Sequence, residues 1–173
     1  MKVNLTDEDL SKRGNSNYFS EGVHEVLIQK AERGTTDAGK DYVEFTVIGH
    51  ADEEGTARLW FSTEAGSKYA LSIMAGVAVH NKQTEEEKAG VRTAFKAIDD
   101  TDKVDTKFLA KFKEMDAFYM VQQSDRTYTN AQGETKNSYD RNIYGYEPKM
   151  KAMTADQLIS SGTPVSTDDV PFA

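Results

Sequence analysis

Tyr42-Val43-Glu44-Phe45-Thr46-Val47-Ile48-Gly49 alternates apolar and polar side chains with a period of two, the signature of a strand with one buried face. Val43, Phe45 and Val47 then point inward, and Tyr42 points out on the opposite face. Upstream, residues 22–31 form a β-rich run around Val23, Val26, Leu27 and Ile28, and residues 32–40, with Gly34 and Gly39, read as a long hairpin loop. Downstream, Asp52-Glu53-Glu54-Gly55 reads as a turn into a third strand over residues 56–62. If Leu59 and Phe61 point inward on that strand, Arg58 and Trp60 share its outer face.

The period then changes. Residues 64–79 place Tyr69, Leu71, Ile73, Met74 and Val77 at near-helical spacing, with Ser62-Thr63 available as the N-cap. Residues 85–97 read as a second helix, and residues 105–115 as a third with Phe108, Leu109 and Phe112 on one face and Asp105 or Thr106 as cap. Two strands follow, over residues 117–128 and 135–146, around the turn Thr129-Asn130-Ala131-Gln132-Gly133-Glu134. The expected fold is therefore an all-β core with a helical insertion: a five-stranded Greek-key barrel of the OB type, with helices between strands 3 and 4. The expected organisation is an N-terminal arm (1–20) anchored by Tyr18-Phe19, a domain (21–148) carrying the insertion (64–115), and a flexible tail (149–173). Within that tail, residues 149–158 offer a short helix and residues 160–167 a linker composition.

The chain of 173 residues is 38% hydrophobic and 29% charged, a globular balance for one domain and a tail. It has no apolar run long enough to span a bilayer, no signal-peptide pattern at Met1-Lys2-Val3-Asn4-Leu5 and no cysteine, so a cytoplasmic setting without a membrane is expected. His24, His50 and His80 lie in no metal-ligand spacing, and there is neither a phosphate-binding glycine loop nor a nucleophile elbow. Glu85-Glu86-Glu87 and Asp99-Asp100 read as solvated helix ends. No enzyme, metal or cofactor is expected; a nuclease built from scattered carboxylates is the remaining catalytic alternative. The net charge of −8 argues against a generic nucleic-acid binder. Residues 21–62 alone carry nine acidic and four basic side chains, so any anion-binding groove must be a local basic patch on an acidic body.

The last residues, Ser166-Thr167-Asp168-Asp169-Val170-Pro171-Phe172-Ala173, resemble the C-terminal tip of bacterial single-stranded DNA-binding proteins. The layout of residues 18–147, from Gly22-Val23-His24-Glu25-Val26 to the tyrosine-rich last hairpin, resembles that of the phage-encoded members. The resemblance implies a protein that coats single-stranded DNA without strong sequence preference during replication, recombination or repair, in the host cytoplasm. It implies a docking peptide at Asp168, Asp169, Val170, Pro171 and Phe172 for replication and recombination proteins, and it is compatible with a homo-oligomer. In that family the chain ends on Phe; here Ala173 shifts the terminal carboxylate by about 3.5 Å.

Single strands are held by aromatic rings stacked on bases and by cations on phosphates. The candidates are Tyr42, Trp60, Tyr128 and Tyr139 for bases, and Lys30, Arg33, Lys40, Arg58, Arg126 and Arg141 for phosphates, with Lys30, Arg33 and Lys40 in and around the first hairpin loop. Five of them have a structural alternative. Trp60 reads equally as core, Tyr42 and Tyr139 as strand packing, and Arg126 and Arg141 as surface partners of Asp125 and Asp140. Tyr144 and Tyr146 read as packing near the strand end, and Lys107, Lys111 and Lys113 as a solvated helix face. The rival function is an acidic protein-interaction module or DNA mimic, which the net charge favours.

Overall fold

The structure, a computed structural model, describes residues 2, 4, 6 and 18–151. In chain order they form β1 (Gly22–Thr35), β2 (Asp41–Ile48), β3 (Glu54–Trp60), α1 (Glu64–His80), α2 (Glu85–Lys96), a 3₁₀ turn (Thr101–Lys103), α3 (Thr106–Leu109) with a second 3₁₀ turn (Ala110–Phe112), β4 (Asp116–Thr129) and β5 (Thr135–Tyr144). The strands make one antiparallel sheet in the order β3-β2-β1-β4-β5. The sheet does not close: β3 and β5 are its edges.

Strand β1 is the hinge of this arrangement. Its first half, Gly22 to Leu27, pairs with β4, and its second half, Leu27 to Thr35, pairs with β2. The ladder to β2 slips between Ile28 and Lys30, and there Ile28 exchanges backbone hydrogen bonds with the chain entering β4, donating to Met115 O at 2.9 Å and accepting from Glu114 N–H at 2.8 Å. A bulge increases local bend and twist, which lets one strand serve two halves of a curved sheet.

The alternation read in β2 holds from Tyr42 to Phe45, but Thr46, on the outer face, is also buried. Val43, Phe45 and Val47 are fully buried with Leu59 and Phe61, while Trp60 is 42% exposed. Cross-strand partners share a face, so Tyr42 with Trp60 and Glu44 with Arg58 lie on the outer side. Helix α1 closes the core from below with Ala70, Ile73, Met74 and Val77, and Phe112 sets its ring edge-on to Phe45 at 5.6 Å. Thr63, Thr84 and Asp105 cap the three helices, each side chain accepting a backbone N–H two residues inside the helix start. Asn81 then clips α1 to β4: its Nδ2 donates to Asp116 O and its Oδ1 accepts from Asp116 N–H, both at 2.8 Å.

Three element readings are corrected. The long first loop is mostly strand: β1 runs to Thr35, leaving a tight turn in which Gly39 adopts φ +80°. Polar side chains did not prevent pairing there because the ladder uses backbone groups. Lys30 and Arg33 therefore lie on β1, and only Lys40 lies in the turn. The third helix is a single α-turn plus a 3₁₀ turn, because Lys113 and Glu114 (φ +70°) must swing the chain into the ladder with Ile28. Phe19 anchors the arm against Tyr119 and His24, with ring centroids 4.8 and 5.0 Å apart, whereas Tyr18 is exposed. The rest of the arm, apart from residues 2, 4 and 6, lies outside the described residues. So does the tail from residue 152, including most of the short helix read at 149–158 and the docking residues Asp168, Asp169, Val170, Pro171 and Phe172.

Candidate nucleic-acid interface

The two edge strands face each other across a groove of about 660 Å³, lined by Arg58 and Trp60 from β3, Tyr69 from α1, Arg126 from β4, and Tyr139 and Arg141 from β5. Five of these six are residues singled out in the sequence, although as many as 83 positions separate Arg58 from Arg141.

On the β3 side the geometry starts from a cross-strand row. Gly34 pairs with Tyr42, and Tyr42 with Trp60. The Tyr42 ring lies over Gly34 so closely that a Cβ there would sit 2.5 Å from it. Trp60 meets Tyr42 edge-on at 5.5 Å, and the Arg58 guanidinium lies 4.1 Å from the centre of the Tyr42 ring. Arg58 Nε donates to Glu44 Oε2 at 2.8 Å, and this hydrogen bond raises the arginine's pKa above its ordinary value. Each side chain in the row is thus held by its neighbour, while the indole keeps a face in solvent. Lys30 is on the same outer side, because it pairs with Thr46, and is exposed beside Glu32 at 3.6 Å.

On the β5 side the orientation differs. Tyr139 pairs with Gln123, Arg141 with Val121 and Ile143 with Tyr119, so Tyr139 and Arg141 are on the core side of the hairpin, beyond the point where the apolar core ends. Burial raises the Tyr139 pKa, and the Glu21 carboxylate beside it acts in the same direction. Arg126 Nη2 lies 3.3 Å from Asp140 Oδ1, the aspartate read in the sequence as a partner of Arg141. Arg141 has no ion-pair partner among the described residues; its charge is felt by Tyr119 and Tyr139. Tyr128 is exposed further along β4, opposite Lys136.

Three of the candidate cations, Lys30, Arg33 and Lys40, are outside the groove lining. Arg33 pairs with Val43 and so points to the core side, where its guanidinium donates to Thr101 O and Val104 O, lies 3.8 Å from Asp41 and sits over Phe61. Its interactions hold the first hairpin to the helical insertion. Lys40 is exposed at the hairpin turn, outside the groove lining.

Tyr69 was read as part of the helix's apolar face, yet it is 57% exposed and lines the groove. It sits one turn before Ile73 and next to the fully buried Ala70, at the edge of the buried stripe, and helical spacing alone does not tell how wide that stripe is. Tyr144 is half buried, which raises its pKa, and packs on Tyr146 at 5.5 Å. His24 bonds Ser20 O, His80 stacks on Phe118, and His50 is 4.0 Å from Glu25. Among the described residues, no group of three or more His, Asp or Glu is placed to hold a metal ion, and no helix is long and apolar enough to cross a membrane. The chain matches no protein-family model and no curated protein.

Proposed function

We propose that this chain is a single-stranded DNA-binding protein with an OB-type barrel, left open along the seam between β3 and β5. The order β3-β2-β1-β4-β5, with a bent β1 shared between both halves and helices inserted before β4, is that of such a barrel unrolled at this seam. The observation that carries the reading is the convergence of Trp60, Tyr69 and Tyr139 with Arg58, Arg126 and Arg141 on one groove. Aromatic faces take bases regardless of sequence, and arginines take the phosphates between them. The strand is coated, not cut, and no cofactor enters. The acidic tail with Phe172 recruits replication and recombination proteins by presenting a ring to an apolar pocket and carboxylates to its basic rim, in the cytoplasm of a host cell.

Titration of a labelled oligo-dT by fluorescence polarisation, at two salt concentrations and with duplex competitor, tests this. Salt-sensitive binding that duplex fails to displace is expected. No binding at micromolar protein and low salt rejects it. One observation favours the rival acidic interaction module: Glu44 and Asp140 already occupy Arg58 and Arg126, so the groove is partly neutralised from within. That module predicts no DNA binding at either salt concentration.

A further inference from the structure

Gln123 is only 5% exposed, and neither its Nε2 nor its Oε1 has a hydrogen-bond partner. Its neighbours are satisfied: Gln122 Nε2 donates to Lys151 O at 3.1 Å, and Ser124 Oγ accepts from Arg126 N–H at 3.2 Å. Among the described residues, no other buried side-chain nitrogen or oxygen lacks a partner. A carboxamide carries two N–H donors and a carbonyl acceptor, and leaving all of them dry and unpaired opposes folding. A fold that keeps such a group needs a reason for it.

The surroundings supply one. Gln123 is on the same side of the hairpin as its cross-strand partner Tyr139, which lines the β3–β5 groove; a neighbouring hollow of about 580 Å³ also touches Gln123 but takes the rest of its hairpin lining mainly from the opposite face, Met120, Gln122, Asp140, Asn142 and Tyr144. The β4–β5 ladder slips between Gln123 and Thr127, and bulges of this kind re-aim side chains beside binding sites. Tyr139, the cross-strand partner of Gln123, stands on the same side of the hairpin and offers a ring to stack on.

We infer that Gln123 reads the edge of one nucleobase in a strand held by the groove, with adenine as the preferred occupant; this rests on the single-strand-binding reading. The carboxamide sets a donor and an acceptor side by side, and adenine answers with its N7 acceptor and N6 amino donor in a bidentate pair. The amide is covered in the unbound protein, so a base reaches it as Tyr139 turns aside and then stacks against that ring. Bases elsewhere along the groove are held by stacking alone and are not discriminated. The protein thus binds any single strand, with one position that favours adenine.

The test compares the full chain with Gln123→Met, which keeps the volume and removes the polar atoms. Three probes of equal length are titrated at one salt concentration: oligo-dT, the same strand with dA at alternate positions, and the same strand with abasic sites there. The native chain is expected to favour the dA strand over oligo-dT by roughly 5-fold or more. Gln123→Met should lose that preference, bind the abasic strand as the native chain does, and melt no lower, because no satisfied hydrogen bond has been removed. Equal binding of dA and dT strands by the native chain overturns the inference while leaving single-strand binding intact. So does a Gln123→Met variant that keeps the preference or melts several degrees lower. Failure of the native chain to bind any strand rejects the single-strand reading itself.

Discussion

At the scale of single residues, Trp60 and Tyr42 touch each other but do different work. Trp60 is 42% exposed at the sheet edge, so truncation should leave the fold nearly unchanged and remove a stacking platform. Trp60→Ala is expected to weaken oligo-dT binding by about 1–3 kcal/mol, with an unchanged urea midpoint. Tyr42 covers Gly34 and supports both Trp60 and Arg58, so Tyr42→Ala should lower the urea midpoint as well as the affinity. Paired denaturation and polarisation measurements on both variants separate the roles. Tyr119 carries a pH dependence. Its hydroxyl donates to Thr56 O at 3.0 Å, and burial raises its pKa above the ordinary 10.0. The unfolded chain ionises this tyrosine first, so its contribution is complete below pH 10.0 and is lost as pH rises through the higher folded value. Tyr119→Phe should cost about 1 kcal/mol at neutral pH for the lost hydrogen bond and flatten the fall in stability above pH 10, read from urea midpoints across that range. The outward placement of Tyr42, Arg58 and Trp60 was legible in the sequence because alternation along β2 and β3 encodes it. Gln123 was not, since its lack of a partner depends on which groups other strands fail to bring near it. Arg33 was misplaced for a related reason: its side follows from pairing with Val43, and register is not written in one strand alone.

At the scale of elements, the reading found all five strands and the position of the helices, because each change of hydrophobic period is local. Ends were less legible. The second half of β1, Lys30-Ala31-Glu32-Arg33-Gly34-Thr35, has almost no apolar pattern and is strand only because β2 lies beside it. The packing of α1 against the end of β5 was equally hidden, and it rests on two glycines. A Cβ at Gly145 would sit 2.1 Å from the Gly76 carbonyl carbon, whereas a Cβ at Gly76 meets nothing within 4 Å. The contact is therefore one-sided. Gly145→Ala should push α1 away from β5 and lower the melting temperature sharply. Gly76→Ala, in a helix interior, should raise stability by up to about 1 kcal/mol through helix propensity. Thermal melts of the two variants check this; equal effects would show that the glycines pack differently from the structure. Because Tyr69 lies on α1 and Tyr139 on β5, Gly145→Ala should also disturb the groove and weaken oligo-dT binding.

At the scale of the whole molecule, the question is how an acidic body holds a polyanion. The net charge of −8 repels DNA at long range, so association gains little from steering and affinity must come from contact. Three arginines line the groove, and two of them are tied to carboxylates, Arg58 to Glu44 and Arg126 to Asp140. A phosphate must displace those carboxylates or share the guanidinium with them. The ion pairs are exposed, and exposed pairs are weak, so exchange is feasible but lowers the net gain. If all three arginines reach phosphates, the slope of log affinity against log salt should be near −2, from about −0.7 per phosphate on a single strand. Glu44→Gln keeps a hydrogen-bond acceptor for Arg58 and removes the competing charge. It should tighten oligo-dT binding several-fold at low salt, with a smaller gain at high salt where the carboxylate is already screened. Arg141→Gln removes a cation with no ion-pair partner among the described residues, so it should reduce the slope by close to one phosphate and weaken binding most at low salt. Polarisation titrations of the three proteins over a salt series read both quantities. An acidic interaction module gives a different outcome, since neither substitution can create a salt-dependent affinity for a strand that the groove does not bind.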